Sequence, residues 1–172
     1  MKLKDILIDN LYISERLGKD EAIIKVPKIR TMYHEAHKIN TKMITNNGLN
    51  KIGKPSNDSR ILEERRWMRQ YHVDELPQLF YNCIYKRDMQ LIGIRARAKN
   101  DWDRYPKKHK QRCLKEKPGL VAVRYAYLEL STRKSEIKYL AEKRACKFPL
   151  LIDLKYLSRI AYNKIILGQK SS

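Results

Sequence analysis

The sequence predicts an α+β fold: a mainly helical single domain over residues 1–172 with a few short strands. Long stretches carry apolar residues at spacings of three and four, a helical period, and they dominate the chain. Between them lie brief β-branched or apolar runs bounded by Gly, Pro and Asp, which read as strands. With 172 residues and 42% hydrophobic content, the chain is long and apolar enough for one real core.

Taken in order, residues 1–16 predict a short amphipathic helix, and Gly18-Lys19-Asp20-Glu21 a turn. Ala22–Val26 predicts a strand closed by Pro27. Residues 33–44 place Ala36, Ile39 and Met43 on one helical face. The stretch 45–58 holds Asn46-Asn47-Gly48, Gly53 and Pro55 and predicts a long loop. A charged helix follows over 59–69, with Asp58 or Ser59 as its cap. Met89–Ile94 and Leu120–Val123 predict two further strands, and Gly93 marks a bend or a close backbone approach. Two helices, 135–144 and 150–167, end the chain, the last with Leu151, Leu154, Leu157, Ala161 and Ile165 on one face.

Charge narrows the partners to polyanions without choosing among them. Thirty-eight Lys+Arg against 19 Asp+Glu give +19 at neutral pH, a field that attracts nucleic acid, anionic membrane or phosphorylated ligands. Residues 104–147 carry much of it, with Tyr125 and Tyr127 inside the stretch as stacking groups for a nucleic acid. No helix-turn-helix, zinc or RNP-type pattern accompanies that charge, so nucleic acid is disfavoured as a partner. Cys83, Cys113 and Cys146 are widely spaced, which indicates neither a zinc site nor a disulfide framework and suits a reducing, cytoplasmic compartment. No run approaches the ~18–20 apolar residues of a membrane span.

The stretch richest in chemistry is Tyr71-His72-Val73-Asp74-Glu75-Leu76-Pro77-Gln78-Leu79. Leu76, Leu79, Phe80, Cys83 and Ile84 recur with a helical period, and proline suits a first helical turn. Asp74 and Glu75 therefore fall at a helix N-terminus, where backbone N–H groups and the dipole favour negative charge. Read by itself, that position is equally a helix cap.

Four ordered fragments together resemble the bacterial sugar transferase family, the polyprenyl-phosphate phosphoglycosyl transferases. Arg16-Leu17-Gly18-Lys19 leading to Lys28-Ile29-Arg30-Thr31-Met32 is similar to the family's GK and KFRTM elements. Asp58-Ser59-Arg60-Ile61 is similar to D-x-R-[IV]. Val73–Leu79 followed by Asp88–Arg95 resembles DELPQL and GDMSLVGPRP. Lys117-Pro118-Gly119-Leu120 matches the KPG turn, with Asp153-Leu154-Lys155-Tyr156 beyond it.

The resemblance implies transfer of a sugar phosphate from a nucleotide diphospho-sugar, a UDP-sugar, to polyprenyl phosphate, initiating glycan assembly. It makes Asp74 the nucleophile of a covalent intermediate and Glu75 its metal or acid–base partner. Mg²⁺ is then the cofactor, held by Glu75 and Asp74. Arg95 is the first phosphate clamp, with Lys28, Arg30, Arg60 and Lys117 as further phosphate-binding candidates. Positive charge is what such a reaction needs, because a carboxylate attacking a diphosphate is an encounter of anions.

Three departures stand beside the match. Only about 15 mixed residues precede the GK element, so residues 1–13 are read as what remains of a membrane-associated N-terminal helix. GPRP is replaced by Gly93-Ile94-Arg95-Ala96, without either proline, and the Gly common after the KPG turn is absent from Leu120-Val121-Ala122. The expected location is cytoplasmic, peripheral at the inner face of the cell membrane; the terminal helix, whose apolar face is accompanied by Lys155, Arg159 and Lys164, reads either as that contact or as a core-packing helix with solvated lysines. The alternatives left open are a catalytically degenerate accessory subunit and a basic nucleic-acid-binding protein.

Overall fold

A computed structural model describes residues 10–34, 36 and 58–166. It confirms the α+β class: helices predominate, with four short strands in two two-stranded sheets. The predicted segments 33–44 and 45–58 lie almost wholly outside the described residues, as do 1–9. The chain forms two compact units.

The described part of the first unit comprises residues 10–12, 28–34, 36 and 58–76. Its backbone centre is a short antiparallel contact in which Met32 faces Ile61, with Tyr33 N–H donating to Arg60 O and Leu62 N–H to Thr31 O. The predicted helix over 59–69 starts late: Glu63–Arg65 is a 3-10 turn and α1 spans Arg66–Gln70. The reason is local. The Asp58 carboxylate accepts both the backbone N–H and the guanidinium of Arg60, which holds Ser59 and Arg60 in a turn instead of capping a helix.

The second unit comprises residues 13–27 and 77–169, described as far as Ile166. Strand β1, Leu11–Leu17, corrects the predicted N-terminal helix over its second half. Its residues pair with β2, Ile23–Ile29, across the Gly18–Ala22 turn, where Asp20 and Glu21 both adopt positive φ. Strand β2 also runs through Pro27, which a two-stranded sheet tolerates because one edge of each strand needs no ladder donor.

Strand β3, Gln90–Gly93, runs parallel to β4, Gly119–Ala122, close to where the sequence predicts both. Gly93 and Gly119 make the close approach possible: a Cβ on Gly119 would fall about 2.5 Å from Gly93 Cα and Ile92 C. Helix α2, Leu76–Gln78, continues as a π-helical segment, Leu79–Tyr85, followed by α3, Lys99–Trp102, and α4, Lys107–Leu114. Helix α5, Thr132–Ala145, brackets the predicted 135–144, and α6, Pro149–Ile165, overlaps the predicted 150–167, whose last residue lies outside the described residues. Ser131 caps α5 by accepting from Lys134 N–H.

The main core joins β3, β4 and helices α3 to α6 around Ile92, Trp102, Val123, Tyr139 and Tyr156. Tyr156 packs edge-on against Tyr127 and Tyr139 at 5.4 and 5.1 Å. Asn163 Nδ2 donates to Tyr125 O at 2.8 Å. These contacts set an inward face of α6 other than the apolar face marked in the sequence. Tyr156, Ile160 and Asn163 point inward, whereas Leu151, Leu154 and Ile165 are exposed. The same inversion affects the run after Pro77: Gln78 and Asn82 are buried, and Leu76, Phe80 and Ile84 face outward. Tyr125 and Tyr127 are buried as well, which removes them as stacking groups for a nucleic acid. Among the described residues no helix is long and apolar enough to cross a membrane.

Candidate active site

Asp74 and Glu75 occupy a 3-10 turn, Val73–Glu75, that feeds directly into α2, so the predicted helix-start placement holds. His72 before them sits in the left-handed region (φ 58°, ψ 22°), a conformation a non-glycine residue holds only when its surroundings impose it. Its carbonyl accepts the Glu75 N–H at 3.1 Å, closing the turn that sets the two carboxylates side by side.

The two carboxylates have different environments. Glu75 is clamped: Lys28 Nζ lies 2.6 Å from Oε1 and His72 Nδ1 3.5 Å from Oε2. Asp74 is buried, and none of the described residues hydrogen-bonds its carboxylate. Burial pushes its pKa up; Lys28 opposes that, the neighbouring Glu75 charge adds to it, and Arg69 and His72 again oppose. Arg69, itself half-buried and pulled down by desolvation, carries the nearby positive charge that favours ionised Asp74. Asp74 thus carries a buried carboxyl that none of the described residues hydrogen-bonds, with Lys28 and Arg69 favouring its charged form against burial.

Lys28 and Glu75 are mostly buried side chains, so Lys28→Ala removes the cation 2.6 Å from the Glu75 carboxylate. A loss of about 1–3 kcal/mol is expected, read as a lower urea midpoint at unchanged slope.

The other predicted phosphate binders are distributed differently. Arg60 is engaged in a buried fork with Asp58 (2.7 and 2.6 Å) and donates to Ala36 O, and this pair lowers the Asp58 pKa and raises that of Arg60. Arg30 donates to Leu11 O, and its own carbonyl accepts from Arg65. Arg95 and Lys117 belong to the second unit. There Arg95 forms a parallel bridge with Gly119, and Lys117 Nζ donates to Arg87 O at 2.7 Å. The first unit therefore brings together Asp74, Glu75 and Lys28 from the predicted set, and adds Arg69 and His72. Neither addition stands out in the sequence: Arg69 is one of many basic residues, and the backbone of His72 is set by the tertiary fold.

Two adjacent carboxylates offer the hard oxygen donors that Mg²⁺ takes alongside phosphate oxygens, so the donor set fits that ion.

A family model described as bacterial sugar transferase matches residues 2–164. The chain is similar to the galactosyl transferase CpsE of Streptococcus agalactiae serotype III (strain NEM316), 31% identical over 114 residues, covering 66% of this chain and 25% of that protein. It is also similar to an undecaprenyl-phosphate galactose phosphotransferase of Salmonella typhimurium (strain LT2), 30% identical over 100 residues, with 55% and 21% covered. A putative undecaprenyl-phosphate N-acetylgalactosaminyl 1-phosphate transferase of Bacillus subtilis (strain 168) is 32% identical over 85 residues, 49% of this chain and 41% of the relative. The chain thus spans well under half the length of each relative.

Proposed function

The chain belongs to the bacterial sugar transferase family, and from that premise we propose that it moves a sugar phosphate from a nucleotide diphospho-sugar to a polyprenyl phosphate through a covalent intermediate on Asp74. The observation that carries this reading is the contrast within the dyad: Asp74 without a hydrogen-bond partner among the described residues, Glu75 held by Lys28 and His72.

In the first step a carboxylate oxygen of Asp74 attacks the phosphorus bearing the sugar. The bond to the nucleoside monophosphate breaks, and that group leaves with the bonding pair. In the second step a phosphate oxygen of the lipid attacks the same phosphorus, and the acyl-phosphate bond to Asp74 breaks. Atoms balance as a polyprenyl diphospho-sugar plus a nucleoside monophosphate. Lys28 and Arg69 offset the charge that builds as anion meets anion. Glu75 accepts the proton still carried by an incoming lipid phosphate. Mg²⁺, held by Glu75 with Asp74, supplies neutralisation of phosphate oxygens when bound. The proposed location is peripheral at the inner membrane face, supported by the exposed Leu150, Leu151 and Leu154 on α6 beside Lys155.

Intact mass spectrometry after incubation with Mg²⁺ and a panel of UDP-sugars, without lipid acceptor, tests the first step. The expected result is one phospho-sugar adduct mapping to Asp74, with stoichiometric release of UMP. Absence of both adduct and nucleotide release from every donor, with or without lipid, overturns the catalytic reading.

A further inference from the structure

A second group of ionisable residues lies in the core of the second unit and takes no part in the proposed reaction. His109 and Cys113 occupy successive turns of α4, four residues apart and therefore on one face. Glu136 reaches them from α5. All three are buried, at 5%, 2% and 2% exposure, and their ligating atoms lie within 4.8 Å of one another.

The dimensions of this triangle are informative. His109 Nε2 is 2.9 Å from Glu136 Oε2 and 3.5 Å from Cys113 Sγ. Ligand atoms of a tetrahedral zinc ion, with bonds of about 2.0 to 2.3 Å, stand roughly 3.3–3.6 Å apart. The His109–Cys113 separation already matches that spacing, and the shorter His109–Glu136 contact needs a small outward shift to admit an ion. Hydrogen bonding satisfies the imidazole and the carboxylate through Nε2–H to Glu136, and leaves the Cys113 sulfur, 3.5 Å from Nε2 and 3.9 Å from Nδ1, without a strong partner.

The surroundings hold the carboxylate and the imidazole in place. Arg97 is ion-paired with the other oxygen of Glu136, fixing the carboxylate's orientation, and lies against the edge-to-face pair Trp102 and Tyr105, 4.7 Å from each ring centroid. Tyr105 also stacks on the His109 ring at 5.5 Å, so the imidazole plane is set from outside.

We propose that His109, Cys113 and Glu136 bind one borderline-soft divalent cation, Zn²⁺ in the first instance, tying α4 to α5 in the core of the second unit. The mixed S, N, O donor set selects against Mg²⁺ and Ca²⁺, which take oxygen ligands. Binding releases one proton, that of the Cys113 thiol, to solvent, while His109, which donates Nε2–H to Glu136 in the metal-free chain, exchanges to the Nδ1–H tautomer and gives the Nε2 lone pair to the metal. The ion belongs to the second unit and the chemistry proposed for Asp74 and Glu75 to the first, and its presence does not depend on that reading.

The test uses the full, tag-free chain, stripped by chelator and titrated with Co²⁺. One equivalent is expected to produce tetrahedral visible bands together with a near-ultraviolet thiolate-to-metal band, both abolished by Zn²⁺ and unaffected by Mg²⁺. Saturating Zn²⁺ is expected to raise Tm by about 5–10 °C at a hundredfold excess over Kd. The Cys83→Ser/Cys146→Ser double variant leaves the α4–α5 core untouched and is expected to retain the thiolate band, whereas Cys113→Ser loses it. If Cys113→Ser does not fold, the double variant alone assigns the thiolate by elimination. A folded chain that takes up no Co²⁺, or one whose thiolate band disappears in the double variant, overturns the proposal.

Discussion

Asp74→Asn is expected to lower turnover by about 10³-fold or more, abolish the phospho-sugar adduct, and still give a chain that melts at a higher temperature at neutral pH. Both effects arise from one side chain. An amide has no anionic oxygen to attack phosphorus, so the loss falls on the first chemical step and not on donor binding. The stability gain follows from linkage. Burial holds the folded-state pKa of Asp74 above its unfolded value of 3.8. As pH rises through that window the unfolded chain releases its proton first, the folded chain binds more protons, and stability falls. At neutral pH the ionised carboxylate is therefore a net cost that Asn removes. Melting curves of both proteins across the acidic range check this: the gap is expected at pH 7 and should shrink as the wild-type side chain becomes neutral. A variant less stable than wild type at pH 7 would remove burial as the dominant influence on Asp74.

Gly119→Ala is expected to have the largest effect on folding. The added methyl group meets backbone, namely Gly93 N, Gly93 Cα and Ile92 C, and no side chain is available to swing aside. Strands β3 and β4 must separate or shift, and with them the hydrogen bonds Gly119 N–H to Ile94 O and Gln90 N–H to Pro118 O. Overpacking usually costs about 1–3 kcal/mol, and a clash with backbone belongs at or beyond the upper end. Against a total stability of about 5–15 kcal/mol, a large share of the folded population is lost. Circular dichroism in urea should show a reduced midpoint or no cooperative transition. A variant with wild-type stability would mean that the parallel strands are further apart than described.

The parts of this fold legible in the sequence are those where apolar residues alone mark the pattern. Strands β3 and β4 and the extents of α5 and α6 are of that kind. The buried faces were harder to read, because Tyr156, Asn163, Gln78 and Asn82 face inward while many leucines do not. A hydrophobicity pattern ranks those residues the wrong way round, since aromatic edges and amide hydrogen bonds hold the inner seam. Strand β1 was misread because its mixed composition lacks a clear period and its partner lies across a turn. At the site, Asp74 and Glu75 were legible through an ordered motif, and Lys28 through a weaker one. Arg69, His72 and the His109–Cys113–Glu136 group depend on tertiary placement, which no local spacing encodes.

The inner seam of α6 also separates two kinds of selection. Tyr156, Ile160 and Asn163 fix the helix against the core, so the leucines on its outer side contribute little to the folded-state free energy. Substitutions there are nearly invisible to folding, and sequence drift along that side is limited only by what the surface touches. Natural variation at Leu150, Leu151 and Leu154 thus becomes a record of the helix's external environment, written independently of the protein's stability.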